Sequence, residues 1–374
     1  MSKSCFPLAI DLFCGAGGLS LGFQRARFKI AASFDIDPIN VKTYSLNFPN
    51  SAAIRADVSR LSGCEIRRQA GLSDRDEIDV VFGGPPCQGF SLIGKRQAND
   101  PRNQLLLEFA RVIIELNPRY FVIENVAGLM VGKARALLAQ TLRALRAAGY
   151  RWVAPIRVLD AQHYGVPQIR KRVIVLGFRA DQIPPQYPRK SARKVTVRQA
   201  IRDLYRVGRR KSLLGSDRFA GRLEEPTAYS RRLRARGDGN LALTGCQVCA
   251  HDLDVIRRFR ATTRGTPEPI SRFHRLHPDR PSPTLRAGTG KDKGSFTAAR
   301  PIHPTQPRCI TVREAARLHS FPDSFEFNGT QWHGFRQVGN SVPPLMAGAV
   351  AGQIMRAIQD AKERSRKPTY KNQR

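Results

Sequence analysis

Through its first half this 374-residue chain alternates strand-length apolar runs with amphipathic stretches of helical period. Strands are expected at Pro7–Phe13, Lys29–Asp35, Ile78–Phe82, Arg119–Glu124, Arg151–Leu159 and Val173–Phe178. Between them, Leu19–Ala26, Pro38–Phe48, Gln104–Leu116 and Lys133–Ala148 read as helices, the last three with apolar positions three and four residues apart. Strands apolar along their whole length must be covered on both faces, so the pattern predicts an α/β fold with a doubly wound sheet and helices on either side.

The rhythm stops after Phe178. Residues 181–194 carry Pro184, Pro185, Pro188 and a basic cluster, which reads as a hinge or linker. Order returns near Pro301, with a helix starting at Thr311–Leu318 and an amphipathic helix at Pro344–Ala361. The expected organisation is therefore a main domain over 1–185, a smaller inserted domain over 186–300, a return to the main domain over 301–362, and a flexible basic tail over 363–374.

Charge narrows the partner. The chain has 63 basic and 30 acidic side chains, a formal net of +33, which calls for a polyanion. Residues 189–300 alone hold 27 basic and 10 acidic side chains, so this segment is expected to carry most phosphate contacts, with the run Arg231–Arg236 among them. Nucleic acid is favoured over a membrane, because no stretch reaches the ~18–20 apolar residues of a spanning helix. The apolar start Phe6–Phe13 contains Asp11 and lacks a cleavage site, so it reads as a first strand, and a cytoplasmic, nucleoid-associated protein is expected. Seven scattered cysteines suit free thiols in a reducing compartment. Cys246-Gln247-Val248-Cys249 has the spacing of a zinc half-site, but His274 and His277 are poorly spaced to complete it, so no metal is expected. His251, followed by Arg257-Arg258-Phe259, is expected on a helix facing DNA.

Three segments carry chemistry. The loop Phe13-Cys14-Gly15-Ala16-Gly17-Gly18 leaves a strand and opens a helix, where a doubly wound fold binds an adenosine-containing cofactor. Asp35 ends the second strand, where a ribose diol would be gripped, and Asp57 ends the third. Phe-x-Gly-x-Gly favours S-adenosylmethionine over a dinucleotide. Gly83-Gly84-Pro85-Pro86-Cys87-Gln88-Gly89-Phe90-Ser91 holds one thiol on a stiff turn after a strand, as a nucleophile requires. Glu124-Asn125-Val126 follows the run Tyr120–Ile123 and puts a carboxyl at the end of a neighbouring strand.

In this order the segments resemble the DNA (cytosine-5) methyltransferases, of the prokaryotic modification type. Cytosine C5 is too electron-poor to accept a methyl group until the 5,6 double bond is broken. The resemblance makes Cys87 the thiolate that adds to C6 and Glu124 the acid at N3. It places Phe13 against the adenine, Asp35 on the ribose and Asp57 at the adenine amine, with Gly15, Gly17, Gly18 and Ile36 in the same site. The family usually has Glu at the Asp35 position, so here a shorter side chain must reach the same hydroxyls. Gln168-Ile169-Arg170-Lys171-Arg172 is similar to a family motif in which Arg172 contacts the cytosine O2 and Arg170 supports the pocket. Arg313–Arg317 with Phe321-Pro322-Asp323 resembles the helix supporting the recognition region. Gln337–Pro344 resembles the last motif, which implies Asn340 and Ser341 near the methionine end and a final helix beside the first strand.

The implied substrate is double-stranded DNA bearing a flipped-out cytosine, the cofactor S-adenosylmethionine, and the protein a monomer, with a cognate restriction endonuclease as a possible functional partner. Two alternatives stay open at the level of sequence: a transfer-RNA cytosine-5 methyltransferase, and a DNA-binding protein without catalysis.

Overall fold

The computed structural model describes residues 6–86, 104–234, 241–288 and 300–366. Strands β1 (Leu8–Leu12), β2 (Lys29–Asp35), β3 (Ala52–Arg55), β4 (Val80–Gly83) and β5 (Tyr120–Val126) alternate with helices α1 (Gly18–Arg25), α2 (Pro38–Asn47), α3 (Gly63–Gln69) and α4 (Leu105–Leu116). Helix α5 (Gly132–Ala147) then leads to the short strands β6 (Tyr150–Trp152) and β7 (Arg157–Asp160) and the long β8 (Lys171–Arg179). The sheet order is β3-β2-β1-β4-β5-β8-β6, with β7 also on β8. Strands β1 to β5 pair in parallel, whereas β8 runs antiparallel to β5. The winding reverses between β1 and β4, so a crevice opens beyond the carboxyl ends of these strands.

Strand alternation assigns the two faces, and a register shift between Ala9 and Ile10 lets Ile30 and Ala32 of β2 fall on opposite ones. Ile10, Leu12, Ala32, Phe34, Val81, Phe121 and Ile123 point to one side and pack under α4 and α5. Ala9, Ile30, Val80, Phe82, Tyr120 and Val122 point to the other, which α1 and the C-terminal helix α11 (Pro344–Arg366) cover. Close approach of α1 and α11 depends on Gly22, where an added Cβ would come within 2.3 Å of the Ala347 Cβ.

The expected strand over Arg151–Leu159 is two strands, β6 and β7, separated by residues 153–156. Pro155 has no N–H to give a ladder and ends the run. In the other direction β5 runs on through the Glu124–Val126 triplet and β8 begins at Lys171, so Glu124 and Arg172 lie inside strands. Residues 181–194 have no regular structure, yet they are tied to the sheet: Tyr187 Oη donates to the Ile174 carbonyl at 2.7 Å and Tyr120 Oη to that of Ile183 at 3.1 Å.

The basic segment is built of short elements, including α6 (Val197–Ile201), α7 (Ala228–Leu233), a small hairpin of β9 (Phe219–Gly221) and β10 (Leu241–Leu243), and α8 (Leu253–Ala261). Val197, Ala200, Ile201, Tyr229 and Leu233 share one core with α9 (Val312–Leu318), with α10 (Gln331–Asn340), and with Tyr44 and Phe48. Arg317, fully buried on α9, clamps this junction. Its guanidinium lies 2.5 Å and 2.6 Å from the Asp323 oxygens and 3.3 Å from both oxygens of Asp203, which also takes Arg234 at 2.6 Å. The Asp323 and Asp203 carboxylates hold the Arg317 charge firmly, although burial opposes it.

Replacing Arg317 with Met leaves those two carboxylates buried with half their compensation gone. Arg317→Met is expected to cost about 3–5 kcal/mol of stability in urea unfolding; a loss below about 1 kcal/mol would show that the clamp is not what holds the junction.

Candidate active site

The crevice is lined by the loops that leave β1 to β4 and by the end of β5. At β1, Phe13 adopts a positive φ of 61°, uncommon for a residue with a side chain, and Gly15 and Gly17 follow at 54° and 95°. Space also demands glycine: a Cβ on Gly17 would lie 2.4 Å from the Phe48 ring, and one on Gly18 would lie 2.3 Å from the Val342 carbonyl oxygen. The last motif therefore sits directly on the glycine loop.

Asp35 fixes that loop from the neighbouring strand. Its Oδ2 accepts from Gly15 N at 2.8 Å, and its Oδ1 from Asp37 N at 2.9 Å and Asn40 Nδ2 at 3.2 Å. A carboxylate offers about four lone-pair sites, so one is left for a ligand hydroxyl. Beside it Ile36 is 64% exposed, a large apolar side chain presented to the crevice. Asp57 lies two residues past β3, where it caps a turn through Ser59 N, rather than ending the strand as expected. Phe13, half-buried, leans towards Phe109 with ring centroids 6.4 Å apart.

Beneath the loop, Asp11 is fully buried; it accepts from Ser20 Oγ at 2.6 Å, and Tyr44 Oη donates to that serine at 2.7 Å. Its Oδ1 has no hydrogen-bond partner among the described residues, and burial pushes its carboxyl well above the ordinary range. Sequence reasoning passes over this residue, because an aspartate within an apolar strand looks like an outward-facing one.

At β4 and β5 the second half of the site assembles. Antiparallel pairing sets Glu124 opposite Ile174, so Arg172, two residues away on β8, shares its face. Arg172 Nε lies 2.9 Å from Glu124 Oε1, with both side chains nearly buried. Burial raises the Glu124 carboxyl above its ordinary value, against the pull of Arg172 and Arg170. Asn125 Nδ2 donates to the Pro85 carbonyl at 2.9 Å, which ties the Pro-Pro segment to the end of β5. A Cβ on Gly84 would stand 2.7 Å from Glu124 Oε2, so the segment passes close against that carboxyl. Cys87, the expected nucleophile, lies outside the described residues.

Arg170 is almost wholly buried. It donates to the carbonyls of Leu285 at 3.0 Å, Gly339 at 2.6 Å and Ser341 at 2.9 Å. Gln168 Oε1 accepts from Leu285 N at 3.1 Å, and its Nε2 meets His319 Nδ1 at 3.0 Å. The His319 Nε2 is 2.9 Å from the Ser341 carbonyl, which assigns the tautomer protonated on Nε2, and burial keeps the ring neutral. Sequence reasoning places Gln168 in the motif with Arg170 and Arg172 without giving it a role, and it passes over His319, whose local context does not mark it. Ser341 is held in this network, and Asn340 is exposed at the end of α10.

Two expectations about DNA contact are corrected. Arg234, from the run at 231–236, is engaged by Asp203 and the Glu224 carbonyl, whereas Arg231 and Arg232 are exposed; residues 235 and 236 lie outside the described residues. His251 precedes α8 and is not on it: its Nε2 accepts from Cys309 N at 3.3 Å and its ring packs edge-on against Phe259, so it braces the helix. Among the described residues no group of three or more His, Cys, Asp or Glu is placed to hold a metal, and no helix is long and apolar enough to cross a membrane.

A doubly wound sheet with one antiparallel strand, a glycine loop at its switch point and a carboxylate–arginine pair beside it define a methyltransferase of the class that works on a nucleobase. The sequence pattern of C-5 cytosine-specific DNA methylases matches residues 8–356. The chain belongs to this family and is a DNA (cytosine-5-)-methyltransferase, and the family uses S-adenosylmethionine as methyl donor. It is 48% identical over 369 residues to the type II methyltransferase M.XorII of Xanthomonas oryzae pv. oryzae, covering 96% of this chain and 87% of the relative. To the type II methyltransferase M.AgeI of Thalassovita gelatinovora it is 32% identical, with 93% and 99% covered. A crystal structure of an E. coli prophage-encoded protein, described as a DNA modification methyltransferase, superposes with a TM-score of 0.77 at 32% identity, covering 94% of this chain and 99% of that one.

The raised pKa of Asp11 has a thermodynamic consequence. An unfolded aspartate ionises near pH 3.9, while the folded one holds its proton higher, so folding stability falls as pH rises between the two values. Asp11→Asn removes that term. The stability of the variant relative to the parent should therefore grow with pH above about 4, by up to about 1.4 kcal/mol per pH unit, and level off above the folded pKa. Urea unfolding across about pH 5–8 measures this; a pH-independent difference would place Asp11 ionised in the folded state.

Proposed function

We propose that the enzyme methylates C5 of a flipped-out cytosine within a specific double-stranded DNA sequence, through a covalent bond between Cys87 and C6, as the modification component of a type II restriction-modification system. The observation that carries this reading is the buried pair of Glu124 and Arg172, with Asn125 anchoring the Pro85 carbonyl two residues before Cys87.

The roles follow from chemistry. The Cys87 thiolate attacks C6, the 5,6 double bond opens, and the electron density moves towards O2 and N3. Glu124, whose carboxyl burial raises above the ordinary range, gives its proton to N3, and Arg172 faces the charge gathering at O2. Once C5 is methylated, loss of its proton re-forms the double bond and expels the thiolate. Arg170 touches no reacting atom in this scheme; it positions the β8 strand and the 339–341 segment.

The glycine loop fits S-adenosylmethionine. Phe13, Gly15, Gly17 and Gly18 form the turn at the switch point, with open space beside Gly15, Ile36 gives an exposed apolar side chain for the adenine, and Asp35 keeps a free lone pair for a ribose hydroxyl. Asp57 is assigned to the adenine amine, and Asn340 and Ser341 to the methionine end. When bound, the cofactor supplies an electrophilic methyl group on a sulfonium centre. The basic segment 186–300 is assigned to target recognition, the chain to the cytoplasm as a monomer, and any cognate endonuclease to separate action on the same site.

Duplex DNA carrying 5-fluorocytosine at the target should trap the wild type with S-adenosylmethionine as a denaturation-resistant adduct, because C5 then has no proton to lose. Cys87→Ala should form none, and an adduct with that variant would exclude the proposed nucleophile. Arg172→Met should lower kcat by about 10²–10³. Loss of the neighbouring cation favours the neutral acid, so the Glu124 pKa rises and the alkaline limb of the remaining rate profile moves to higher pH; an unmoved limb would separate Glu124 from the rate-limiting proton.

A further inference from the structure

We propose that the turn Pro267–Phe273 is a base-reading element and that Arg272 at its tip recognises a guanine of the target site through the major-groove edge. This rests on the function proposed above and goes on to name the residue that chooses the sequence.

The turn is braced from within. Residues 263–276 double back, with Glu268 N donating to the Phe273 carbonyl at 2.8 Å and Arg272 N to that of Glu268 at 2.9 Å. Glu268, only 1% exposed, takes both Ser271 N and Ser271 Oγ at 2.5 Å on one oxygen and faces Arg258 of α8 with the other. Outward, this construction presents Ile270, 69% exposed, and Arg272, also exposed. Arg272 holds φ at 59°, a conformation that favours glycine and costs an L-residue on the order of 1 kcal/mol. A turn that needed only its backbone shape would be more stable with glycine there, so the guanidinium has a use.

That use is not structural. Arg170, Arg234, Arg308, Arg313 and Arg317 all donate to protein acceptors. Arg272 and Arg286 make no ion pair and no side-chain hydrogen bond among the described residues. The two line one cleft of about 280 Å³ whose described walls include no carboxylate. Its floor is joined to the active site: Thr284 Oγ1 donates to the Ile169 carbonyl at 2.7 Å, and Leu285 is bonded to both Gln168 and Arg170. A base pair seated on this cleft would therefore lie close to the strand that carries Arg172.

An unpartnered guanidinium fork matches the O6 and N7 acceptors of guanine in the major groove, and an adjacent exposed apolar side chain suits a base edge better than a phosphate. Ile270 beside Arg272 supplies that apolar contact.

The full-length protein tests this on a plasmid library randomised around the methylated site and read by bisulfite sequencing, with wild type, Arg272→Gly and Arg272→Lys compared. Glycine keeps the positive φ, so thermal unfolding of Arg272→Gly should match or exceed that of the wild type. Its methylated motif should lose preference at one guanine position by about 10–100-fold, with Arg272→Lys intermediate. An unchanged motif, whether with unaltered rates or with rates lowered equally at every site, overturns the assignment and leaves the enzymatic function standing. A wild type that modifies no DNA at all removes the function and this assignment with it.

Discussion

A buried guanidinium organises the site. Arg170 lies in low dielectric, where its charge is costly, and it survives there because three backbone carbonyls point at it and Glu124 lies in its field. Those carbonyls come from Leu285, Gly339 and Ser341, more than a hundred residues further along the chain. Holding one cation therefore draws the segment at Leu285, the 339–341 segment and β8 to the same point. The neutral His319 and Gln168 complete the arrangement, and each uses both ends of its polar group. Such a network is stable only when every member is in place, which makes the geometry around Arg172 and Glu124 definite.

The charge of the chain gains a second meaning. A net of +33 suggests a surface made for phosphates, but part of the arginine content is spent internally. Arg308 is paired with Glu314 at 2.8 Å by both its terminal nitrogens, Arg313 donates to the carbonyls of Thr244, Pro322 and Phe325, and Arg317 bridges two aspartates. The planar fork of arginine suits this structural task as well as it suits nucleic acid. Counting basic residues thus predicts the class of partner and says little about which side chains meet it.

Much of the fold is legible in the sequence, because two-sided burial forces long apolar strands and the helices between them carry a 3.6 period. Strands β1, β2, β4 and β5 and helices α1, α2, α4 and α5 fall within a residue or two of their expected places, whereas the four-residue β3 has no expected range. Failures have identifiable causes. The segment 151–159 reads as one strand because Val153, Ile156 and Val158 are good strand formers, and Pro155 overrides them. The seven-residue α3 is too short to show a period, and α10 is amphipathic but interrupted by Gly334 and Gly339. Within the site, Glu124, Arg170 and Arg172 are recognisable because they stand in long ordered motifs. His319, Asp11 and the bracing role of His251 are not, because each depends on partners distant in the chain, and a spacing pattern carries no information on those.

The covering of the sheet by α11 has a consequence for biogenesis. Ala9, Val80, Phe82 and Val122 lie on a face that α1 covers only in part, and the rest of its roof is a helix that begins at Pro344, so a chain still emerging from the ribosome carries an incompletely closed apolar sheet for most of its synthesis. The glycine loop also lacks its wall at Val342 until then. The loop is thus completed only when translation is nearly over, and a prematurely stopped product is left with an open apolar face and is sticky instead of partly folded.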